Sequence, residues 1–181
     1  MLILSDMFGL DRCEWIKQYV ALLDPIFTIQ LYDSCALGDV RVADAAEDDI
    51  HAAFIAGGVD TAADKLSKME LGKVDILAFS MGGSIAWKAG SKGMHIGHLY
   101  AISSTRLRLQ TEKPDCRVQL FYGKVDPFHP KPSWFEKLKL DPPLMENGGH
   151  DFYTGHDVAI RICSMIRSIH HGPMRGTKCP L

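Results

Sequence analysis

Neither sign of charge is in excess in this chain of 181 residues: 20 Lys and Arg stand against 22 Asp and Glu, for a net charge of −2, and the isoelectric point is near 6.4. Nucleic acid and anionic membrane surfaces are held by clustered positive charge, so neither is expected as a partner. Long hydrophobic runs are missing too. The apolar runs have strand length and fall far short of the ~20 residues of a membrane span. The start, Met1-Leu2-Ile3-Leu4-Ser5-Asp6, has no basic region and reaches an acid by position 6, so it does not read as a secretory signal. Paired cysteines are absent: the five, Cys13, Cys35, Cys116, Cys163 and Cys179, form no C-x-x-C and are odd in number, which reads as reduced thiols in a cytoplasmic protein. No His/Cys/Asp cluster has zinc-ligand spacing, and His170-His171 reads as a solvated helix terminus, so neither metal nor organic cofactor is expected. Repeats, low-complexity tracts and linkers do not occur.

What is present fits one globular domain. Hydrophobic residues make up 46% and charged residues 23%, ordinary for a packed core of this size. Short apolar runs, the candidate strands, fall at Leu2 to Ser5, Phe27 to Tyr32, Val74 to Phe79, Leu99 to Ser103, Val118 to Tyr122 and Pro143 to Glu146. The best are continuous rather than alternating, which suits strands buried on both faces. Helix-like segments lie between them: Arg12 to Leu23, Asp48 to Lys68, Gly82 to Ala89, Ser133 to Leu138 and Asp157 to His170. In the last, Val158, Ile162, Met165, Ile166 and Ile169 share one face. Gly57-Gly58 is placed to split or bend the long second helix. The alternation predicts an α/β domain over residues 1–171, with about six mostly parallel strands and helices on both faces. Residues 172–181, rich in Pro and Gly, read as a C-terminal tail.

In such sheets chemistry gathers at the carboxyl ends of the strands, and three segments stand there. Ala78-Phe79-Ser80-Met81-Gly82-Gly83 follows the run Val74-Asp75-Ile76-Leu77 and precedes a helix-compatible stretch. A serine flanked by small residues two before and two after suits a sharp strand-to-helix turn that lifts the side chain clear of the sheet. Serine is a poor nucleophile by itself and needs a base held by a third group. Asp126 follows the run Val118 to Tyr122 in Gly123-Lys124-Val125-Asp126-Pro127, and His150 follows Asn147-Gly148-Gly149. Each segment alone is a weak signal; the order Ser80, Asp126, His150, each after a strand, is a strong one.

With A-F-S-M-G-G, G-K-V-D-P and G-G-H-D-F in that order, the chain resembles the α/β-hydrolase superfamily over nearly its whole length. The resemblance implies a serine hydrolase with Ser80 as nucleophile, His150 as base and Asp126 as acid. It would cleave a small carboxylic ester or thioester, free or carrier-bound, through an acyl-enzyme. Acyl-carrier or acyl-CoA thioesterase or acyltransferase activity is the alternative, or a non-hydrolytic member of the fold. Ala78 replaces the first glycine of G-x-S-x-G, a small substitution. The resemblance also implies an oxyanion hole from the N–H of Met81 and, on the loop Ser5-Asp6-Met7-Phe8-Gly9, the N–H of Met7, with Phe8 the alternative. The His-Gly of many relatives is replaced by Ser5-Asp6, which is closer to dienelactone-hydrolase-like members. The chain begins on what would be the superfamily's third strand, as a minimal version. Between Ser103 and Val118 no helical cap fits, so the site is expected open, or covered only by loops 104–116 and 127–138.

Arg106 and Arg108 read first as part of a solvated loop, and more sharply as recognition of an anionic substrate tail or an acidic carrier. Phe8, Phe79, Trp134 and Phe152 are candidates to line an acyl pocket. His51, His95, His98, His129 and His156 read as surface or satisfied core residues, with His129, near Asp126, singled out as a modifier.

Overall fold

A computed structural model describes residues 1–171; the expected tail, with Cys179, lies outside the described residues. Six strands, β1 (Leu2–Leu4), β2 (Gln30–Tyr32), β3 (Val74–Phe79), β4 (Ile96–Ile102), β5 (Arg117–Gly123) and β6 (Leu144–Glu146), form one sheet in the order β2-β1-β3-β4-β5-β6. Every pairing is parallel, as the alternation predicts.

The pleat sorts the apolar residues into two layers. Leu2, Leu4, Ile76, Ala78, Leu99, Ala101, Leu120 and Tyr122 face one side. There they pack with α2 (Ser34–Gly38), α3 (Glu47–Ala53), α4 (Val59–Met69), α5 (Met81–Ser91) and α6 (Pro132–Leu138). Ile3, Leu77, Phe79, Tyr100, Ile102 and Phe121 face the other, under α1 (Ile16–Leu23) and α7 (His156–His171). The chain order reverses between β1 and β3, which opens a crevice at their carboxyl ends, where such sheets bind ligands.

Local differences from the expected elements have local causes. The long second helix is split: Phe54–Gly58 forms a wider π-type turn in which Gly57 takes φ 153°. The unexpected α2 is capped by Asp33, whose carboxylate accepts the Ala36 N–H at 2.9 Å. The first helix starts at Ile16 rather than Arg12, after a 3-10 turn at Leu10–Arg12. β4 starts at Ile96 rather than Leu99, because Val74 pairs with Ile96 and Ile76 with Leu99. Gly97 and His98 thus oppose the single residue Asp75, a bulge that breaks the apolar run. Among the described residues no helix is long and apolar enough to cross a membrane. Cys13, Cys35, Cys116 and Cys163 are free thiols.

Candidate active site

Ser80 sits between the end of β3 and the start of α5 with φ 47° and ψ −110°, a backbone conformation that costs an L-residue energy and persists only when its surroundings enforce it. Its N–H is taken by the Ile102 carbonyl at 2.7 Å, and its own carbonyl accepts the Gly83 N–H at 3.1 Å. Close packing of α5 makes two glycines necessary. A Cβ at position 82 would stand 2.5 Å from the Ser5 carbonyl oxygen, and one at 83 would stand 1.8 Å from Ser104 Oγ. The second contact, invisible in the motif, is the tighter one. Ala78 lies fully buried between its β1 and β4 partners Leu4 and Ala101.

The Ser80 hydroxyl meets His150 Nε2 at 2.9 Å, and His150 Nδ1 meets Asp126 Oδ2 at 2.8 Å. Asp126 is 1% exposed and its other oxygen accepts the Phe128 N–H at 2.9 Å. The carboxylate is thereby aimed at the imidazole and shielded from water. The His150 loop crosses the end of β5 over Gly123, where a Cβ would collide with the Gly149 carbonyl at 2.2 Å. Gly148 turns it with φ 119°. Ser103, itself at φ 50°, donates its hydroxyl to the His150 carbonyl. Three residues far apart in the chain, following β3, β5 and β6, are thus held in one row.

A cavity of about 330 Å³ opens beside Ser80 and His150, at the lower end of the size that small-molecule sites use. Met7, Phe8 and Met81 line it. Met81 opens α5, so its N–H has no partner within the helix. The Phe8 N–H is already given to Asp6 Oδ1 at 2.9 Å, which leaves Met7 of the two donors expected on that loop.

Asp6 is a site residue that the sequence did not single out. It lines the cavity and is 4% exposed. Besides Phe8 it receives Cys13 Sγ on Oδ1 and the Tyr153 hydroxyl on Oδ2, each at 3.2 Å. Burial pushes its carboxyl above the ordinary value, against the pull of these donors and of the charge of His150. An aspartate after a strand is common, and its distant partner Tyr153 leaves no local signal.

The expected substrate contacts divide. Arg106 lines the cavity, where burial and the neighbouring Arg108 lower its pKa below the ordinary value. Arg108 does not line it: it donates to the Thr105 carbonyl at 2.8 Å, and its guanidinium lies 5.6 Å from the ring centroid of Phe128. Trp134 does not line the cavity either: it packs on Trp87 and gives its indole N–H to the Gln110 carbonyl. Phe79 and Phe152 are buried in the opposite layer. The cover is wider than the loops expected, since Glu47 and His51 of α3 line the cavity together with Thr105 and Phe128. His51 is therefore a cavity residue. His129 is not; it borders a separate groove and lies against the Pro130 carbonyl.

No family model and no curated protein matches the chain. Solved structures do. One is a protein from Xanthomonas campestris pv. campestris described as of the alpha/beta superfamily, at 17% identity and a TM-score of 0.64, with 92% of this chain and 98% of that one covered. Another is the NocB thioesterase domain in covalent complex with a fluorophosphonate nocardicin G analog, at 12% identity and 0.58, with 94% of each chain covered. A third is Est1E from Butyrivibrio proteoclasticus with ferulic acid bound, at 12% identity and 0.56, with 93% and 88% covered. The chain has the α/β-hydrolase fold.

Proposed function

We propose that the protein is a serine hydrolase that cleaves a small carboxylic ester through an acyl-enzyme on Ser80. The observation that carries this reading is the row Ser80–His150–Asp126, joined at 2.9 and 2.8 Å on a strained nucleophile turn. His150 Nε2 takes the Ser80 proton as the hydroxyl attacks the acyl carbonyl, and buried Asp126 stabilises the imidazolium formed. The N–H groups of Met81 and Met7 receive the oxyanion; loss of one such donor raises the barrier by about 2.7–4 kcal/mol. The imidazolium then protonates the leaving alcohol, and water deprotonated by His150 releases the acid. A cavity of about 330 Å³ favours a short acyl group. Thioester hydrolysis is the second reading, supported by the likeness to the NocB thioesterase domain and by Arg106 at the cavity, a cation suited to an anionic carrier or tail.

Turnover of p-nitrophenyl acetate and butyrate tests the reading. Ser80→Ala is expected to lower kcat by roughly 10³-fold or more, and Asp126→Asn by about 10⁴-fold through the wrong imidazole tautomer. A fluorophosphonate probe is expected to label Ser80. Equal background rates in wild type and Ser80→Ala, with no labelling, overturn it. Matched acyl-CoA and ester substrates then separate thioesterase from esterase.

A further inference from the structure

At the far end of the sheet from Ser80, the bulge of β4 turns His98 onto Asp75. The His98 backbone N–H and its ring Nδ1 approach the same carboxylate oxygen, Asp75 Oδ1, at 2.8 and 3.3 Å. Glycine before it is what permits this, because a Cβ at position 97 would stand 2.5 Å from that oxygen. α7 supplies a third group: His170 brings Nδ1 to 3.8 Å from Asp75 Oδ2. Its Nε2 lies 3.0 Å from the Tyr100 hydroxyl, and its ring meets Phe27 and His98 edge-on with centroids 4.9 and 5.0 Å away. His170 is therefore not the solvated helix terminus that its sequence position suggests; its side chain is 18% exposed, beside Asp75 at 25% and His98 at 21%.

We propose that Asp75, His98 and His170 bind a divalent first-row transition metal ion, zinc foremost. Two imidazoles and one carboxylate are a donor set that suits this class of ion, and one donor atom of each lies within 4.8 Å of the others. Bonds of about 2.0–2.1 Å in tetrahedral geometry put neighbouring ligand atoms about 3.3 Å apart. The His98–Asp75 separation of 3.3 Å is already there. The His170 separation, 3.8 Å to the other carboxylate oxygen Oδ2, is too long for a hydrogen bond and has to shorten for one ion to take all three ligands. The Tyr100 hydroxyl, 3.0 Å from His170 Nε2, is placed to accept from Nε2–H in the tautomer that binds an ion through Nδ1, as outer-shell partners of metal-bound histidines do. Water completes the coordination.

The site lies about 17 Å from Ser80 along β3, at about 3.3 Å per residue, so the ion takes no part in the Ser80 chemistry. It ties β3, β4 and α7 together, and an ion bound only by the folded chain stabilises it by mass action. No such signal exists in the sequence, where the three residues are far apart and show no ligand spacing.

The test uses full-length, tag-free protein freed of metal with EDTA, titrated with ZnCl₂ by calorimetry and with CoCl₂ by visible absorption. One zinc per chain, a zinc-dependent rise in Tm and cobalt d–d bands are expected. Asp75→Asn, His98→Asn and His170→Gln are expected to weaken zinc by more than about a hundredfold, and Tyr100→Phe by about tenfold, as loss of an outer-shell partner does. His156→Ala and Ser80→Ala are expected to bind as wild type. The proposal is overturned if zinc does not bind the wild type, or if it binds Asp75→Asn and His98→Asn unchanged. It is also overturned if binding is lost only with His150→Ala, which would place the ion at Ser80. Should one histidine variant fail to fold by circular dichroism, Asp75→Asn and Tyr100→Phe decide by the same criteria. Loss of esterase activity in Ser80→Ala bears on the hydrolase reading alone.

Discussion

Asp6 is a carboxyl with three donors and almost no water. Its oxygens hold Phe8, Cys13 and Tyr153, so one side chain joins the loop after β1 to the segment after His150. By engaging the Phe8 N–H it leaves that of Met7 for the oxyanion role proposed above. Its raised pKa has a consequence for stability. The folded state holds the Asp6 proton to higher pH than the unfolded chain, so this residue's contribution is present below the ordinary carboxylate pKa. It is lost as pH rises from there through the raised value. Asp6→Asn keeps one acceptor for Phe8 and removes the titration. The Tm of Asp6→Asn relative to wild type is therefore expected to rise with pH across that window and then level off. A flat difference from pH 4 to 7 by differential scanning fluorimetry would show that Asp6 does not titrate in this way.

At the scale of elements, the turn at Ser80 depends on how closely α5 lies against its neighbours. The motif made the need for a small residue at position 82 legible. The need at 83 arises from Ser104, which follows β4, and no spacing rule within the turn contains it. Gly83→Ala is expected to overpack this contact by about 1–3 kcal/mol. For a chain of this size that lowers Tm by about 2–12 °C, at about 2–4 °C per kcal/mol. Adding Ser104→Gly removes the colliding atoms and is expected to restore much of the loss; a double variant no more stable than Gly83→Ala would place the strain elsewhere. The same limit on local reading explains the substrate contacts. Arg106 and Arg108 were paired by their alternation, but residues 105–109 form a 3-10 turn. Arg106 lines the cavity itself, while Arg108 lies over the ring of Phe128, one of the lining residues. The split of the second helix, by contrast, was legible in Gly57-Gly58, because a glycine's backbone freedom is a property of the residue itself.

For the whole molecule, one sheet serves two cores. Trp15 packs in the layer under α1 and α7, while Trp87 and Trp134 belong to the layer beneath α4, α5 and α6. Neither layer keeps its apolar face covered if the sheet opens, so both are expected to melt together. The fluorescence of a Trp15→Phe variant and that of a Trp87→Phe/Trp134→Phe variant should each track the far-ultraviolet circular dichroism of the same protein. A difference of several degrees between the two probes in either variant would mean that the layers unfold independently. The sheet order also separates the two candidate sites: Met7, Ser80, Asp126 and His150 gather at the carboxyl ends of the strands, and the Asp75–His98–His170 cluster lies at the other end.

Taken alone, the chain determined the alternation of buried strands and helices, hence a parallel sheet. It also determined which strand ends carry Ser80, Asp126 and His150, because apolar period, turn glycines and chain order are properties of neighbouring residues. Only the tertiary structure decided which side chains meet across the sheet. Asp6 with Tyr153, Gly83 with Ser104, Arg106 in the cavity with Trp134 outside it, and Asp75 with His98 and His170 all depend on a bulge, a crossover or a close approach between segments. No local pattern carries such a contact, since it forms only when packing brings distant parts of the chain to one place.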